Sequence, residues 1–124
     1  GDSIHDIIRF IKPRVKVVGT GWVASAGTHI FLAADTADRY CLPNTRFLIH
    51  QPSGGVGGQA SDIAIQAEEI IKMRERLARI IATQTGQKIE QVRVDIERAN
   101  WMTAKEAISY GICNKMIASV SELV

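Results

Sequence analysis

Apolar residues recur at the spacing of helix faces in several parts of the chain, most extensively between Ala60 and Thr85. That pattern stops at Gly86, a residue typical of helix ends. Its apolar stripe comprises Ile63, Ala67, Ile70, Ile71, Leu77, Ile80 and Ile81. A helix of about 26 residues is about 39 Å long at 1.5 Å per residue. A domain of this size cannot cover it, so we expect its far end to pack on a partner.

A shorter helical pattern opens the chain in the stretch GDSIHDIIRFIKP and stops at Pro13. The apolar positions on one face of this helix are Ile4, Ile7, Ile8 and Ile11. Because a helix begins at once, we expect the sequence to be cut inside a larger domain.

Two further helices are predicted in the last third, in KIEQVRVDIER and in TAKEAISYG. The second has Thr103 and Glu106 at the spacing of a capping box and ends at Gly111.

Strands are predicted in four short runs rich in β-branched or apolar residues: VKVVGTG, RYCLP, RFLIH and ICNKMI. Pro43 and Asn44 form the turn between the second and third runs. Alternating helices and strands predict an α/β domain. A length of 124 residues with 46% hydrophobic residues predicts one core, and therefore a single domain over residues 1–124.

Composition narrows the choice of partner and compartment. The net charge of +2 is small, and Lys and Arg are scattered, so the sequence predicts neither a nucleic-acid nor a membrane surface. Apolar runs are shorter than the roughly 20 residues of a membrane span. Cys41 and Cys113 lie in apolar strand-like runs and are expected to be buried, reduced thiols. These features favour a cytosolic protein.

Candidate chemistry centres on Ser25, which follows a strand and a turn and precedes the helical pattern SAGTHIFLAA. Helix-start N–H groups at Ala26 and Gly27 could bind an oxyanion. His50, at the end of RFLIH, could be the base that activates the serine. Serines are also common helix caps, and a hydrogen-bonded histidine is commonly structural. The residues alone leave both interpretations open.

The spacing of the acidic residues along the chain does not identify an acidic partner for His50. Asp35, Asp38 and Asp62 are explained as caps or solvated charges, and Asp95 falls inside a predicted helix.

His5 and His29 have no partner that the sequence identifies, and we interpret both as structural. No Cys/His cluster predicts zinc, and GGVGGQ is not followed by the Lys and Ser or Thr of a phosphate-binding loop. We therefore expect no cofactor.

Four stretches together resemble the proteolytic subunits of the ATP-dependent Clp proteases, serine peptidases of the crotonase-like α/β fold. They are GTGWVASAG, RYCLPNTRFLIHQPSGGVGGQASDI, TGQKIEQVRVDIER and WMTAKEAISYGICNKMI, and the resemblance covers nearly all of the chain. It implies repeated ββα units with a long protruding handle helix. The N-terminal part of that fold would be absent here.

The resemblance also implies a role for each candidate site residue. Ser25 would be the nucleophile, His50 the general base and the Ala26 amide an oxyanion donor. A strand that pairs with the substrate backbone would be formed by Gly54, Gly55, Val56 and Gly57.

The implied assembly is a heptameric ring, stacked through the handle helices into a tetradecamer. An AAA+ unfoldase would deliver unfolded polypeptides, and the subunit itself would bind no nucleotide. The implied location is the cytoplasm or an organelle of bacterial origin.

Two features depart from the family pattern. Ala99, in IERANW, holds the position of the triad acid, so the acid is missing. The neighbouring Asn100 is a candidate substitute that could turn inward to hold the imidazole, but on a helix end it would point about 100° away, which disfavours it. The N-terminal segment, whose Ser-Pro-Gly-Gly turn donates the second oxyanion N–H, is absent.

Two functions therefore remain open. The chain is a protease subunit that hydrolyses unfolded polypeptides, or a catalytically weak or inactive structural subunit of a mixed ring. A third alternative, an acyl-CoA enzyme of the same fold, is disfavoured by HQPSGG and by the Ser25 and His50 pair.

Overall fold

The computed structural model describes residues 2–51 and 60–123, the first three of the second range by backbone alone. The helices are α1 (Asp2–Phe10), α2 (Ala26–Phe31), α3 (Ala60–Thr85), α4 (Ile89–Asp95) and α5 (Ala104–Tyr110). The strands are β1 (Val17–Gly19), β2 (Trp22–Val23), β3 (Arg39–Cys41), β4 (Arg46–Ile49), β5 (Asn100–Thr103) and β6 (Lys115–Met116). Two short 3₁₀ helices lie at Thr36–Asp38, before β3, and at Val120–Leu123, after β6.

These strands form two three-stranded sheets within the described residues. The first has the order β1-β3-β6 and is parallel throughout. The second has the order β2-β4-β5, with β2 parallel and β5 antiparallel to β4. The predicted strand pair RYCLP and RFLIH is therefore divided between the two sheets.

The core lies between the sheets and the helices. Phe31 of α2 packs edge-on against Phe47 of β4, with ring centroids 5.2 Å apart. The large apolar side chains with 2% exposure or less are Leu32, Phe47, Ile49, Ile81, Val92, Ile96, Ile112 and Ile117.

α3 has the bounds that the apolar pattern predicted. Near its C-terminal end Ala78 and Ile81 are buried, whereas Ile65 and Ile71 in its first half are 60% and 63% exposed. Within the described residues, Ala67 and Ile71 of the stripe are thus exposed and Ile63 and Ile70 are only half-buried, as expected for a helix too long for its domain.

The end of the chain follows the predicted pattern with one addition. The capping box of α5 is confirmed: Glu106 N donates to Thr103 Oγ1 at 3.2 Å, and Thr103 N donates to Glu106 Oε1 at 3.0 Å. Gly111 ends the helix with φ of 104°. α4 stops at Asp95, before the predicted end, and residues 100–103 form β5, which the sequence did not predict.

Arg39 on β3 is a buried cation, with none of its surface exposed. Its guanidinium donates to Ala34 O (2.9 Å), Gln84 O (3.1 Å) and Gly111 O (3.3 Å), and also to the Gln84 side chain. These carbonyls lie at or just beyond the C-terminal ends of α2, α3 and α5. One side chain therefore joins three helices.

We expect Arg39→Met to lower the free energy of unfolding by about 3 kcal/mol or more, because each buried polar group left unpaired costs about 1–3 kcal/mol. Denaturant unfolding of the two proteins would measure this loss. The matched control is Arg79→Met, which removes an exposed arginine of α3 whose ion pair with Glu75 is open to solvent. Equal losses in the two variants would contradict the role given to Arg39.

Candidate active site

Ser25 lies at the junction of β2 and α2 in a strained backbone conformation. Its φ is 54° and its ψ is −124°, and it is the one non-glycine residue with positive φ among those described. Such a conformation costs about 1–3 kcal/mol in a residue with a side chain and is found at functional sites. A strained strand-to-helix turn of this kind presents a serine hydroxyl to solvent.

The Ser25 side chain does not cap the helix. It occupies the N-cap position of α2, but its hydroxyl makes no capping hydrogen bond. This geometry removes the structural explanation that serines at helix starts usually have.

The backbone amides of Ala26 and Gly27, at the start of α2, differ in their hydrogen bonding. Gly27 N donates to Ala24 O at 2.9 Å, so the expectation that it helps to bind an oxyanion is wrong in this geometry. No acceptor for the Ala26 amide lies within the described residues. Among the described residues, the Ala26 amide therefore remains an unused donor next to the serine.

Thr28 fixes α2 relative to the strand that leads to His50. Its buried hydroxyl lies 3.1 Å from Val23 O on β2 and 2.8 Å from Leu48 O on β4. The positions of Ser25 and His50 are thereby coupled through one side chain.

Ser25 and His50 line one cavity of about 220 Å³, which we call the Ser25 cavity. Its lining residues are Asp2, Ser25, Ala26, His29, His50, Met73, Arg76 and Leu77. Within residues 2–51 and 60–123, no hydrogen bond joins Ser25 Oγ to the His50 ring. Catalytic hydrogen bonds are often long before substrate binds.

The pairing of β4 and β5 shows where Ala99 and Asn100 lie relative to His50. The antiparallel pairing of β4 and β5 ends with Ile49 opposite Asn100, and beyond it Gln51 N donates to Ile96 O at 2.8 Å. Paired residues point to one side of a sheet, so Asn100 shares the side of buried Ile49. His50 follows β4 directly and Ala99 directly precedes β5, so each lies one residue beyond the last pair.

Asn100 thus lies on a strand. The expectation that it lies at a helix end is wrong. The side-chain amide of Asn100 donates to Asp95 O at 3.4 Å. Asn100 also lines a cavity that is different from the one that His50 lines. Both observations place its side chain away from the histidine.

Three residues that the sequence analysis did not connect meet in the Ser25 cavity. His29 Nε2 donates to Asp2 Oδ1 at 2.8 Å, and Arg76 Nη2 donates to Asp2 Oδ2 at 2.6 Å. They come from α2, α1 and α3, and no local spacing could reveal them. Asp2 is therefore the partner of His29, which the sequence alone did not identify.

His5 completes this arrangement beneath the cavity. Its ring stacks on that of His29 with centroids 4.3 Å apart, and its Nδ1–H donates to His29 O at 2.7 Å. α1 therefore packs on α2 through a histidine, while Ile4 and Ile7 of the predicted apolar face are 54% and 56% exposed.

His29 is not placed to act as a base for Ser25. Because Nε2–H donates to Asp2, only Nδ1 could accept a proton, and that atom is buried with no partner in the described structure. Burial, followed by the nearby His5, lowers the pKa of His29 below its ordinary value of 6.5. The ring is neutral at pH 7.

One aspartate interpreted as a cap or a solvated charge is neither. Asp38 is buried with 3% exposure and accepts from Arg14 Nε at 2.8 Å. That hydrogen bond lowers the pKa of the Asp38 carboxyl. Its role is structural and distant from Ser25.

Cys41 and Cys113 are free and buried, as predicted. Burial and the neighbouring Cys113 raise the pKa of Cys41 to about 12. The described residues contain no group of three His, Cys, Asp or Glu side chains placed to hold a metal ion. None of the described helices has the length and apolar character needed to cross a bilayer.

The predicted substrate strand, Gly54, Gly55, Val56 and Gly57, lies outside the described residues.

A family model described as Clp protease matches residues 1–120. The chain belongs to the Clp protease family. It is 56% identical over 123 residues to ATP-dependent Clp protease proteolytic subunit 3 of Rhizobium meliloti, and this match covers 99% of the chain and 63% of that protein. Proteolytic subunit 2 of Gluconobacter oxydans is 58% identical, with 99% and 56% covered.

Solved structures agree with these matches. ClpP1 from Listeria monocytogenes is 54% identical, with a TM-score of 0.87, and a point mutant of it gives 0.91. Each match covers 99% of this chain and 68% of the other. The resemblance and the crotonase-like fold with its long helix are thus confirmed, and the chain spans about three fifths of the length of the Clp protease subunits it matches.

We expect Ser25→Gly to be more stable than Ser25→Ala by about 1 kcal/mol, because glycine tolerates positive φ and alanine retains the strain. Denaturant unfolding of both variants measures the difference. A Ser25→Ala variant as stable as Ser25→Gly would mean that the turn stores no strain.

We expect His29 to make the stability of the protein depend on pH. Since folding lowers the His29 pKa, the unfolded chain binds the proton first, and this contribution to stability declines as pH falls below about 6.5. His29→Gln should reduce the loss of thermal midpoint between pH 7 and pH 5. An equal loss in parent and variant would contradict this prediction.

Proposed function

We propose that this chain is a subunit of a cytoplasmic, self-compartmentalising serine protease that hydrolyses unfolded polypeptides. The observation that carries the proposal is the pairing of a strained, uncapped Ser25 with His50 in one cavity. Membership of the Clp protease family supports it.

In the proposed reaction, His50 accepts the proton of Ser25 Oγ while that oxygen attacks the carbonyl carbon of the scissile peptide bond. The Ala26 N–H stabilises the resulting oxyanion. His50 then returns the proton to the leaving amine, and an acyl group stays on Ser25. Water, deprotonated by His50, releases the acyl group and restores the serine.

We propose that substrate pairs by its backbone with the strand containing Gly54, Gly55, Val56 and Gly57. The uncovered half of α3, with exposed Ile65 and Ile71, supports an interface between stacked heptameric rings. A tetradecamer of this kind takes its substrates from an AAA+ unfoldase.

A second candidate is a structural subunit with little activity of its own, favoured by Ala99. The Ala99 methyl group can neither orient the imidazole of His50 nor stabilise its charged form. In serine proteases with a triad, loss of the orienting acid lowers kcat by about 10⁴. Such a subunit would contribute to mixed rings with active partners.

The test is hydrolysis of a fluorogenic peptide by the full polypeptide that carries these residues, with particle mass recorded in parallel. Ala99→Asp should raise kcat by about 10²-fold or more, because a carboxylate that orients His50 selects the productive tautomer. Ser25→Ala should abolish turnover.

Asn100→Asp is the matched control, since it adds the same charge one residue away. It should leave kcat near that of the parent. Turnover that survives Ser25→Ala would refute the proposal. Rings that form while parent and Ala99→Asp both stay silent would establish the structural subunit instead.

A further inference from the structure

Thr28 is a buried polar residue in the first turn of α2, three residues after Ser25. Its backbone N–H donates to Ser25 O at 3.2 Å, and the residue is 4% exposed. Threonine hydroxyls inside helices commonly bond a carbonyl of their own helix. The Thr28 hydroxyl instead reaches outside α2, to Leu48 O at 2.8 Å and to Val23 O at 3.1 Å.

The shorter of these two contacts joins α2 to β4. A hydroxyl has a single proton to donate, and the shorter distance assigns that proton to Leu48 O. Leu48 lies two residues before His50. The serine is therefore linked to the strand of the histidine by two consecutive hydrogen bonds, one from the backbone of Thr28 and one from its side chain.

The Thr28 hydroxyl acts where the pairing of β2 and β4 stops. β2 has two residues, and its parallel pairing with β4 ends with Val23 opposite Phe47. Beyond that pair the chain turns at Ser25 into α2, while β4 continues toward His50. The hydroxyl bonds β4 at Leu48, the residue after the last pair, and so joins the two segments on which the nucleophile and the base lie.

We propose that Thr28 is a positioning residue whose hydroxyl sets the distance between Ser25 Oγ and the His50 ring. The inference rests on the proposed function and adds to it a residue that touches neither the substrate nor the reacting atoms. Thr28 acts through the backbone of the nucleophile on one side and through the strand of the base on the other.

The physical reason is the short reach of proton transfer. A base must lie within about 2.6–3.2 Å of the proton donor in the reacting complex, and a misplacement of about 1 Å can lower a rate by about 10²-fold. Phe31 of α2 also packs on Phe47 of β4, with ring centroids 5.2 Å apart. Loss of the Thr28 hydroxyl should therefore loosen the site without separating α2 from β4, and we expect a smaller loss, of about tenfold.

The probe is an alkyl fluorophosphonate, which has no amino-acid side chain. Ser25 Oγ attacks phosphorus and expels fluoride while His50 takes up the serine proton, and a phosphonate ester of Ser25 forms. The labelling rate per folded molecule reports how well the base is placed for the nucleophile. It is measured in the full polypeptide that carries these residues, and the folded fraction and the free energy of unfolding are recorded for each variant.

Thr28→Val removes the hydroxyl at nearly constant volume and should lower the labelling rate by about tenfold. Thr28→Ser keeps the hydroxyl and should label within about threefold of the parent. The matched control is Thr45→Val. Thr45 is also buried, and its hydroxyl donates to Gly19 O at 2.8 Å, next to the end of β4 that is farther from His50. This variant should lose stability as Thr28→Val does and keep the labelling rate of the parent.

A tenfold loss in Thr28→Val, with Thr28→Ser and Thr45→Val near the parent, supports the inference. Thr28→Ala, which also lacks the hydroxyl and has a residue suited to helices, replaces Thr28→Val if that variant does not fold. Labelling within about twofold of the parent in a folded variant without the hydroxyl overturns the inference and leaves the proposed function intact. An equal loss in Thr28→Ser or in Thr45→Val does the same.

No labelling of Ser25 in the folded parent overturns the proposed function and this inference with it.

Discussion

The guanidinium of Arg39 is the interaction on which the arrangement of helices depends. A buried cation is normally balanced by a carboxylate; here the hydrogen-bond partners of Arg39 are backbone carbonyls and the amide oxygen of Gln84. Those carbonyls lie at the C-terminal ends of α2, α3 and α5, where helix dipoles concentrate negative potential. Three helix ends thus provide together the compensation that one aspartate would supply. α2 begins beside Ser25 and α3 carries Arg76 and Leu77, so two walls of the Ser25 cavity are joined through the same side chain.

This rigid frame explains how a strained turn persists at Ser25. The backbone there is unfavourable for a serine, and its hydroxyl does not offset the strain by capping α2. The stabilisation comes from elsewhere: Thr28 holds the helix to β2 and β4, and Arg39 holds its other end. Strain at one residue is tolerated because contacts on both sides of it determine the path of the chain.

The sequence predicted those parts of the structure that local pattern determines. α3 follows from a long apolar repeat and a terminal glycine, and the cap of α5 from Thr103 and Glu106. β5 was missed because its four residues, NWMT, carry no alternation that separates them from a loop, and only pairing with β4 makes them a strand. Ser25 and His50 were predicted as site residues from chemistry and resemblance, whereas Asp2, His29 and Arg76 come together only through packing of three helices. An apolar stripe on α1 gave no indication that His5 would be its buried residue.

The same geometry shows why Asp2 cannot serve as the acidic partner of His50. Asp2 lies in the Ser25 cavity and bonds a histidine, but that histidine is His29, whose remaining ring nitrogen is buried and out of reach of a substrate. Both carboxylate oxygens of Asp2 are already engaged, so turning toward His50 would break two hydrogen bonds and leave Arg76 without its counter-charge. In the proposed function, His50 therefore depends on the segment next to the start of β5, where this chain has Ala99. A cavity can thus hold a carboxylate, two imidazoles and a serine and still lack an oriented base, because orientation depends on which strand or helix carries each group.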